Sequence, residues 1–401
     1  MKRIYLDYAA STPVDPAVER AMKPYFGKIY GNPHALHSFG QSASRAVFAA
    51  RRKIASAIGA DYREIIFTGS ATEANNLAIR GAIKAYRTNK TYKSYRPRLI
   101  VSAIEHESVL ETCRDLEKDG VEVVYIPVGK GGIIDPRKIK AALNERTILV
   151  SIMHANNEVG AIQPIAEIAG IVRSWRLEVG GFASSGKHQT VYPLFHTDAV
   201  QSFQYLNCDA SQLGVDLLTI SAHKIYGPKG IGALYIRQIG LISPIVTGSG
   251  QESGRRSGTD NVPYIVGFAK AVEIAEKMRN SENKRIEKLR NYFWKELQTL
   301  PHAVAPKLAV NGSMKSRIPN NLNIYFPGHG AHDLQIKLDL AGIAVSPGAA
   351  CSTRVSQSSY VLEEMGFSET RASGSLRFSL GRQTTKAEID NVVKIVYNLL
   401  K

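Results

Sequence analysis

The sequence predicts an α/β protein: a large domain with a mostly parallel, seven-stranded mixed sheet, and a smaller α+β domain. Three observations predict it. Short apolar runs alternate with helical patterns from about Glu64 to Tyr235, the rhythm of successive βα units. The chain has 401 residues, more than one hydrophobic core usually organises. After about Asn261 the rhythm changes to one long helical stretch followed by a few strands.

Taken in order, Ile4-Tyr5-Leu6 is a short strand that joins one of the two units. The sheet runs are Ile65-Ile66-Phe67, Leu99-Ile100-Val101, Val121 to Tyr125, Ile148 to Ile152, Val191 to Phe195, Leu217 to Ile220, and Gly232 to Ile236. Each is short and mainly apolar, as the strands of such units are. Tyr264 to Leu297 reads as a helix, Asn321 to Phe326 as a strand, and the chain from Lys386 as a last helix. The expected division is 15–261 for the large domain, with 1–14 and 262–401 forming the small one. Ligands of such sheets gather at the carboxyl ends of the strands.

Composition narrows the function classes. With 44% hydrophobic and 21% charged residues the chain reads as an ordinary soluble globular protein. No apolar run reaches the length of a membrane span, and Met1 to Asp7 lacks the apolar core of a secretory signal. The cytoplasm is the expected address. The balance of 51 Lys+Arg against 35 Asp+Glu, a net +16, suits anionic ligands such as phosphates and carboxylates. The positive residues are scattered apart from a cluster near Lys84 to Arg98, without aromatic interleaving, so no direct nucleic-acid binding is expected. Cys113, Cys208 and Cys351 lie too far apart for a zinc or disulfide framework by local spacing, and no metal site is expected. Cys113 sits in a helical pattern and Cys208 near a strand or loop edge, as small core residues do.

Several strand ends carry chemistry. Lys224 follows the run Leu217 to Ile220 in Ser221-Ala222-His223-Lys224; an amine on a rigid strand end can form a Schiff base, with hydroxyl and imidazole groups beside it to hold an anionic cofactor. The competing reading is a lysine pointing into water. Gly69-Ser70-Ala71-Thr72-Glu73 follows another strand and opens a helix whose N–H groups, with the Thr72 hydroxyl, suit a phosphate. A plain capped first turn is the alternative. Asp198 and Gln201 end a neighbouring strand, where Asp198 suits a protonated pyridine nitrogen and Gln201 a ring oxygen; taken singly, Asp198 is also an ordinary helix cap. His106 and Asn157 follow two further strands, an imidazole and an amide placed to stack on and hydrogen-bond a flat ring. Arg377 projects from one face of a period-two run and can grip a carboxylate bidentately. Cys351 stands among small residues in Val345 to Ser359 with Arg354 close by, a setting for a reactive, exposed thiol.

Together the segments resemble the cysteine desulfurases, members of the class V aminotransferase-like group of fold-type I (aspartate aminotransferase-like) enzymes that use pyridoxal 5'-phosphate. The likeness spans nearly the whole chain: Tyr5-Leu6-Asp7-Tyr8-Ala9-Ala10, Tyr30-Gly31-Asn32-Pro33, Ala71 to Leu77, Met153 to Gly160, Ser221 to Gly230, Arg256-Ser257-Gly258-Thr259, Cys351, and Arg377 to Arg382. The resemblance implies that Lys224 holds the cofactor as an imine and His106 stacks on its ring. Asp198 would pair with the pyridine nitrogen, Gln201 and Asn157 would contact the ring-oxygen side, and Ala71, Thr72, Ser221 and His223 would hold the phosphate. Thr259 would arrive from the other subunit of a homodimer. Asn32 and Arg377 would bind the carboxylate of L-cysteine. Lys224, His106 and Cys351 would be the catalytic set, with the Cys351 thiolate taking the substrate sulfur as a persulfide and alanine leaving.

The length of the segment around Cys351 resembles the long-loop class, which hands sulfur to iron-sulfur scaffolds or tRNA-thiolation enzymes. The resemblance also leaves a selenocysteine lyase or another lyase or aminotransferase on the same scaffold as alternatives. A retired enzyme fold acting as a scaffold or RNA-binding protein is the non-catalytic one. Two stretches depart from the family pattern. Leu177 to Tyr192 is longer than usual, and Gly248 to Ser253 lacks the histidine of the usual Gly-rich pattern.

Overall fold

The strands form where the sequence runs predict them, apart from two short ones, Ala309–Val310 and Ile343–Ala344, that no run marks. They are β1 (Ile4–Tyr5), β2 (Ile65–Thr68), β3 (Arg98–Ser102), β4 (Glu122–Ile126), β5 (Thr147–Ser151), β6 (Leu194–Asp198), β7 (Leu217–Ser221), β8 (Gly232–Ile236), β9 (Ala309–Val310), β10 (Asn321–Tyr325), β11 (Ile343–Ala344) and β12 (Ser375–Ser379). The computed structural model describes residues 3–88, 96–180, 192–301, 307–348 and 358–401.

Seven strands make one sheet in the order β2-β8-β7-β6-β5-β3-β4. β8 pairs antiparallel with both β2 and β7, while the pairs β7/β6, β6/β5, β5/β3 and β3/β4 are parallel. The reason is the connection: only 222–231 link β7 to β8, too short for the crossover that a parallel pair needs. β8 therefore runs against the other six, whose carboxyl ends all lie along one edge. The run Val191 to Phe195 starts as a strand later than the sequence suggests, at Leu194, because Pro193 before it has no N–H to give a ladder.

Buried side chains on the two faces of this sheet form separate clusters. One face packs Phe67, Ile100, Val150, Phe195, Leu218 and Ile220 under helices Ser38–Ala57, Ile165–Gly180 and the first half of Val262–Gln298. The other packs Leu99, Leu149, Leu194 and Leu217 under helices Ala71–Thr88 and Glu107–Lys118. Both faces being covered explains the unbroken apolar strands.

A third cluster joins the second half of helix Val262–Gln298, through Ile286, Leu289, Phe293 and Leu297, to the three-stranded sheet β12-β10-β9 and helix Lys386–Leu400. Phe293 and Phe378 meet edge-on, with centroids 5.2 Å apart. β1 pairs in parallel with β11, and Ile4 and Leu6 enter this cluster. The N-terminal strand thus belongs with the C-terminal part of the chain, and helix Val262–Gln298 serves two cores. No helix among the described residues is long and apolar enough to cross a membrane.

Candidate active site

The carboxyl edge of the large sheet opens on a cavity lined by Ala9, Ala10, Ser70 to Thr72, His106, Ser108, Met153, Asn157, Asp198, Gln201, His223, Lys224 and Arg377, among others. The carboxyl ends of β2, β3, β5, β6 and β7, as in open α/β sheets, deliver these groups together with the N-terminal segment and Arg377 on β12.

Lys224 ends a short 3-10 turn, Ala222–Lys224, that follows β7. The chain reverses just beyond it, with Tyr226 at φ 67°, a backbone conformation that costs a non-glycine residue strain. Contacts hold it there: Tyr226 N donates to Thr12 Oγ1 at 2.7 Å, and Tyr226 Oη accepts from Arg382 N at 2.7 Å. Gly227 follows because a Cβ there would meet the Ala222 carbonyl oxygen at 2.9 Å. Lys224 Nζ donates to the carbonyls of Ala9 and Ala10 at 2.6 and 2.7 Å. Gln201 Nε2 donates to the same Ala9 carbonyl at 3.0 Å.

Asp198, at the end of β6, is buried. Its Oδ1 accepts from Val200 N at 2.9 Å and its Oδ2 from Asn75 Nδ2 at 2.8 Å. His106 caps helix Glu107–Lys118, with Nδ1 accepting from Ser108 N at 3.1 Å. Burial holds its pKa below the ordinary histidine value; Lys224 adds to that, while Asp198 and Glu107 oppose it. His223 is pushed down to about 4, by burial first and then by Lys224 and Lys229. Both shifts favour the neutral imidazole. Beside them the fully buried Glu105 carboxyl is raised well above its usual range by burial, although its Oε1 accepts from Met153 N at 2.6 Å.

Helix Ala71–Thr88 starts against the sheet because Gly232 on β8 has no side chain; a Cβ there would lie 2.9 Å from Ala71 N. Its cap is Ser70, whose Oγ accepts from Glu73 N at 3.1 Å. Glu73 turns away, accepting from Gly69 N at 2.7 Å and pairing with Arg256 at 2.7 Å. The capping work falls to Ser70, so Thr72 lines the cavity with Ala71.

Arg377 is buried on β12, not on the surface, where its period-two strand would also allow it. Nη2 donates to Asp7 Oδ1 at 2.7 Å and Nη1 to the Asn157 carbonyl at 2.9 Å. The backbone of Arg377 also bridges to Ser346. On the far side of 349–357, Ser359 Oγ donates to Glu158 Oε2 at 2.5 Å and Tyr360 Oη to the Glu105 carbonyl at 2.5 Å. The two described flanks of that segment are thus tied next to Arg377, Asn157 and His106.

Not every expected residue reaches the cavity. Ser221 is buried at the end of β7 but does not line it. Thr259 lines a separate cavity with Gly69, Glu252 and Arg256. Asn32 is exposed, its Oδ1 accepting from His34 N at 3.0 Å. Cys351 lies outside the described residues, as does most of the long stretch 177–192. In the altered Gly-rich segment, Glu252 and Ser253 have φ of 49° and 56°, and the buried Glu252 carboxylate is anchored by Arg51 and by Phe67 N at 2.8 Å.

Conversely, Asn75, Ser108 and Asp7 were not singled out by strand-end reasoning. Asn75 shares a helical stripe with Ala78, Ile79 and Ala82, all buried; a polar residue on an apolar stripe is the signal that marks it.

The donor set fits pyridoxal phosphate. His223 Nδ1, Asn157 Oδ1 and Arg377 Nε are buried without a hydrogen-bond partner, and all three residues line the one cavity. Buried polar atoms are rarely left so unless a ligand meets them. An amine, a carboxylate, two neutral imidazoles and a helix start converge there, as a phosphorylated, protonatable aromatic aldehyde requires.

Comparison with known proteins agrees. The Aminotransferase class-V family model matches residues 4–392. A cysteine desulfurase IscS of Dictyoglomus turgidum is 42% identical over 402 residues, covering 100% of this chain and 95% of the relative. One from Rickettsia felis is 42% identical over 98% of this chain and 90% of its own. Among solved structures, a NifS-like protein superposes with a TM-score of 0.87 at 35% identity, covering 99% of both chains. SspA in complex with cysteine gives 0.77 at 34% identity, covering 94% of this chain and 98% of that one. Matched over nearly its whole length, the chain belongs to the class-V aminotransferase family, among its cysteine desulfurases.

Proposed function

We propose that the chain converts L-cysteine to L-alanine and passes the sulfur, as a persulfide on Cys351, to an acceptor protein of iron-sulfur cluster assembly or tRNA thiolation. The observation that carries this is the cavity that gathers Lys224, Asp198, His106 and Arg377, with the flanks of the Cys351 segment anchored at its rim. Enzymes of this family use pyridoxal 5'-phosphate. Bound here, that group supplies an aldehyde for amines and a ring that draws electrons from the substrate Cα.

Lys224 would hold the cofactor aldehyde and, as a free amine, would move a proton at the substrate Cα. Asp198 would keep the ring nitrogen protonated, His106 would stack on the ring, and Gln201 and Asn157 would contact its oxygen side. Ala71, Thr72 and His223 would hold the phosphate, with Ser221 supporting from the strand end. The Cys351 thiolate attacks the substrate sulfur; the new S–S bond forms as the Cβ–S bond breaks, and alanine leaves after protonation. Adding L-cysteine to the purified chain must give alanine and one extra sulfur on Cys351; alanine without that persulfide overturns the proposal.

Arg377 grips the substrate carboxylate. Its guanidinium is pre-aligned by Asp7 and the Asn157 carbonyl, so Arg377→Lys keeps the charge and loses the fork. The expected result is a KM for L-cysteine higher by about tenfold to a hundredfold, one or two charge-assisted hydrogen bonds' worth. An unchanged KM in steady-state kinetics removes Arg377 from this role.

The active unit is a homodimer. Phe26, Tyr30, Leu36 and Phe39 are exposed around Asn32, Leu36 by 91%, more than a monomer surface readily leaves in water. Asn32 and Thr259, absent from this chain's own cavity, then serve the partner's.

A further inference from the structure

Helix Ala71–Thr88 carries a buried amide that this mechanism leaves unused. Asn75 is fully buried, and its Nδ2 donates to Ser108 Oγ at 2.8 Å and to Asp198 Oδ2 at 2.8 Å. A primary amide nitrogen has two hydrogens, and both are engaged. The orientation follows from chemistry: turned over, the amide would set its oxygen against the Asp198 carboxylate, acceptor against acceptor. Ser108 Oγ, having accepted from Asn75, keeps its own hydrogen, and His106 Nδ1 lies 2.9 Å away. The Ser108 backbone N–H, which can only donate, points at the same Nδ1 from 3.1 Å. Nδ1 is therefore an acceptor, and the proton of the neutral ring sits on Nε2.

We infer that Asn75 and Ser108 are positioning residues of this site: a donor chain from Asn75 through Ser108 Oγ to His106 Nδ1 holds the imidazole as its Nε2-protonated tautomer, while the second amide hydrogen fixes the Asp198 carboxylate. One residue thereby sets both groups that the proposed function places against the cofactor ring, and the assignment rests on that reading. The groups facing His106 are Asp198 at the end of β6, His223 and Lys224 after β7, and Glu107 on its own helix. Ser108 is the residue that meets Nδ1, through both its hydroxyl and its backbone N–H.

A donor to Nδ1 favours the unprotonated ring and is lost on protonation, so removing it moves the His106 titration upward. Ser108→Ala deletes the hydroxyl donor. Asn75→Leu frees the hydroxyl to rotate and accept instead. The test is 1H–15N spectroscopy of the full chain, purified with pyridoxal phosphate and labelled with 15N-histidine, His106 being assigned by the signal lost in His106→Gln. Wild type is expected to show an unprotonated Nδ1 and a protonated Nε2 at neutral pH. Both variants are expected to shift the titration midpoint up by roughly half to one pH unit, and Ser108→Thr to restore it. Ser108→Ala preserves the buried packing and carries the test if Asn75→Leu fails to fold. A protonated Nδ1 in wild type, or an unmoved midpoint in Ser108→Ala, overturns the inference. Borohydride reduction of the same sample reports separately on the underlying reading: no label at Lys224 overturns the cofactor assignment, whatever the tautomer.

Discussion

Lys224→Arg will fold, keep its donors to the Ala9 and Ala10 carbonyls, and lose turnover of L-cysteine by at least about a thousandfold, the scale on which an essential nucleophile is missed. The guanidinium reproduces the charge and the hydrogen bonds that Lys224 Nζ makes at 2.6 and 2.7 Å, but it does not condense with an aldehyde at neutral pH. Lys224→Ala, by contrast, also strips those carbonyls of the lysine donor in the cofactor-free chain, which is therefore expected to lose thermal stability as well as activity. Comparing the two separates chemistry from scaffolding. The measurement is alanine formation with absorbance of the bound cofactor before and after borohydride. A Lys224→Arg protein that still turns over, or that borohydride still labels at another lysine, places the covalent site elsewhere.

Cys351→Ala will retain the cofactor absorbance and yet form no alanine from L-cysteine above the background of about a thousandth of wild type. The other two thiols are poorly suited to replace it. Cys113 is buried under the sheet and its thiol is pushed up to about 12, mainly by burial with Glu105 and Glu117 adding to it. Cys208 is pushed up to about 11 by burial, Ser202 only partly opposing that. At neutral pH both remain thiols, and a thiol without thiolate character attacks sulfur slowly. Mass spectrometry after L-cysteine treatment should therefore find the added sulfur on Cys351 alone in wild type and nowhere in the variant. Persulfide on Cys113 or Cys208, or full alanine production in Cys351→Ala, removes Cys351 from the reaction.

Much of the site was legible because parallel strands impose a simple geometry. Once the apolar runs are read as neighbouring strands of one direction, whatever follows each carboxyl end must face the same edge. That rule brings His106, Asn157, Asp198 and Lys224 together from positions far apart in sequence, and the structure places all four around one cavity. Local chemistry also marks the helix start at Ala71, where small residues precede an apolar periodic face. What the rule does not reach is a side chain arriving sideways. Asn75 enters from the middle of a helix, Asp7 from a loop beside β1, and each acquires meaning only from a partner more than a hundred residues away.

The sequence by itself determined the seven strands of the large sheet, the helix start at Ala71, the lysine and carboxylate at adjacent strand ends, and the family, because each depends on residue type and local spacing. Tertiary structure alone decided that Arg377 is buried against Asp7 rather than exposed, that Ser70 and not Thr72 caps the helix, and that one amide holds both Asp198 and Ser108. The physical reason is range: propensity and periodicity act over a few residues, whereas burial and hydrogen-bond partners are set by which surfaces the packed sheet and helices bring into contact.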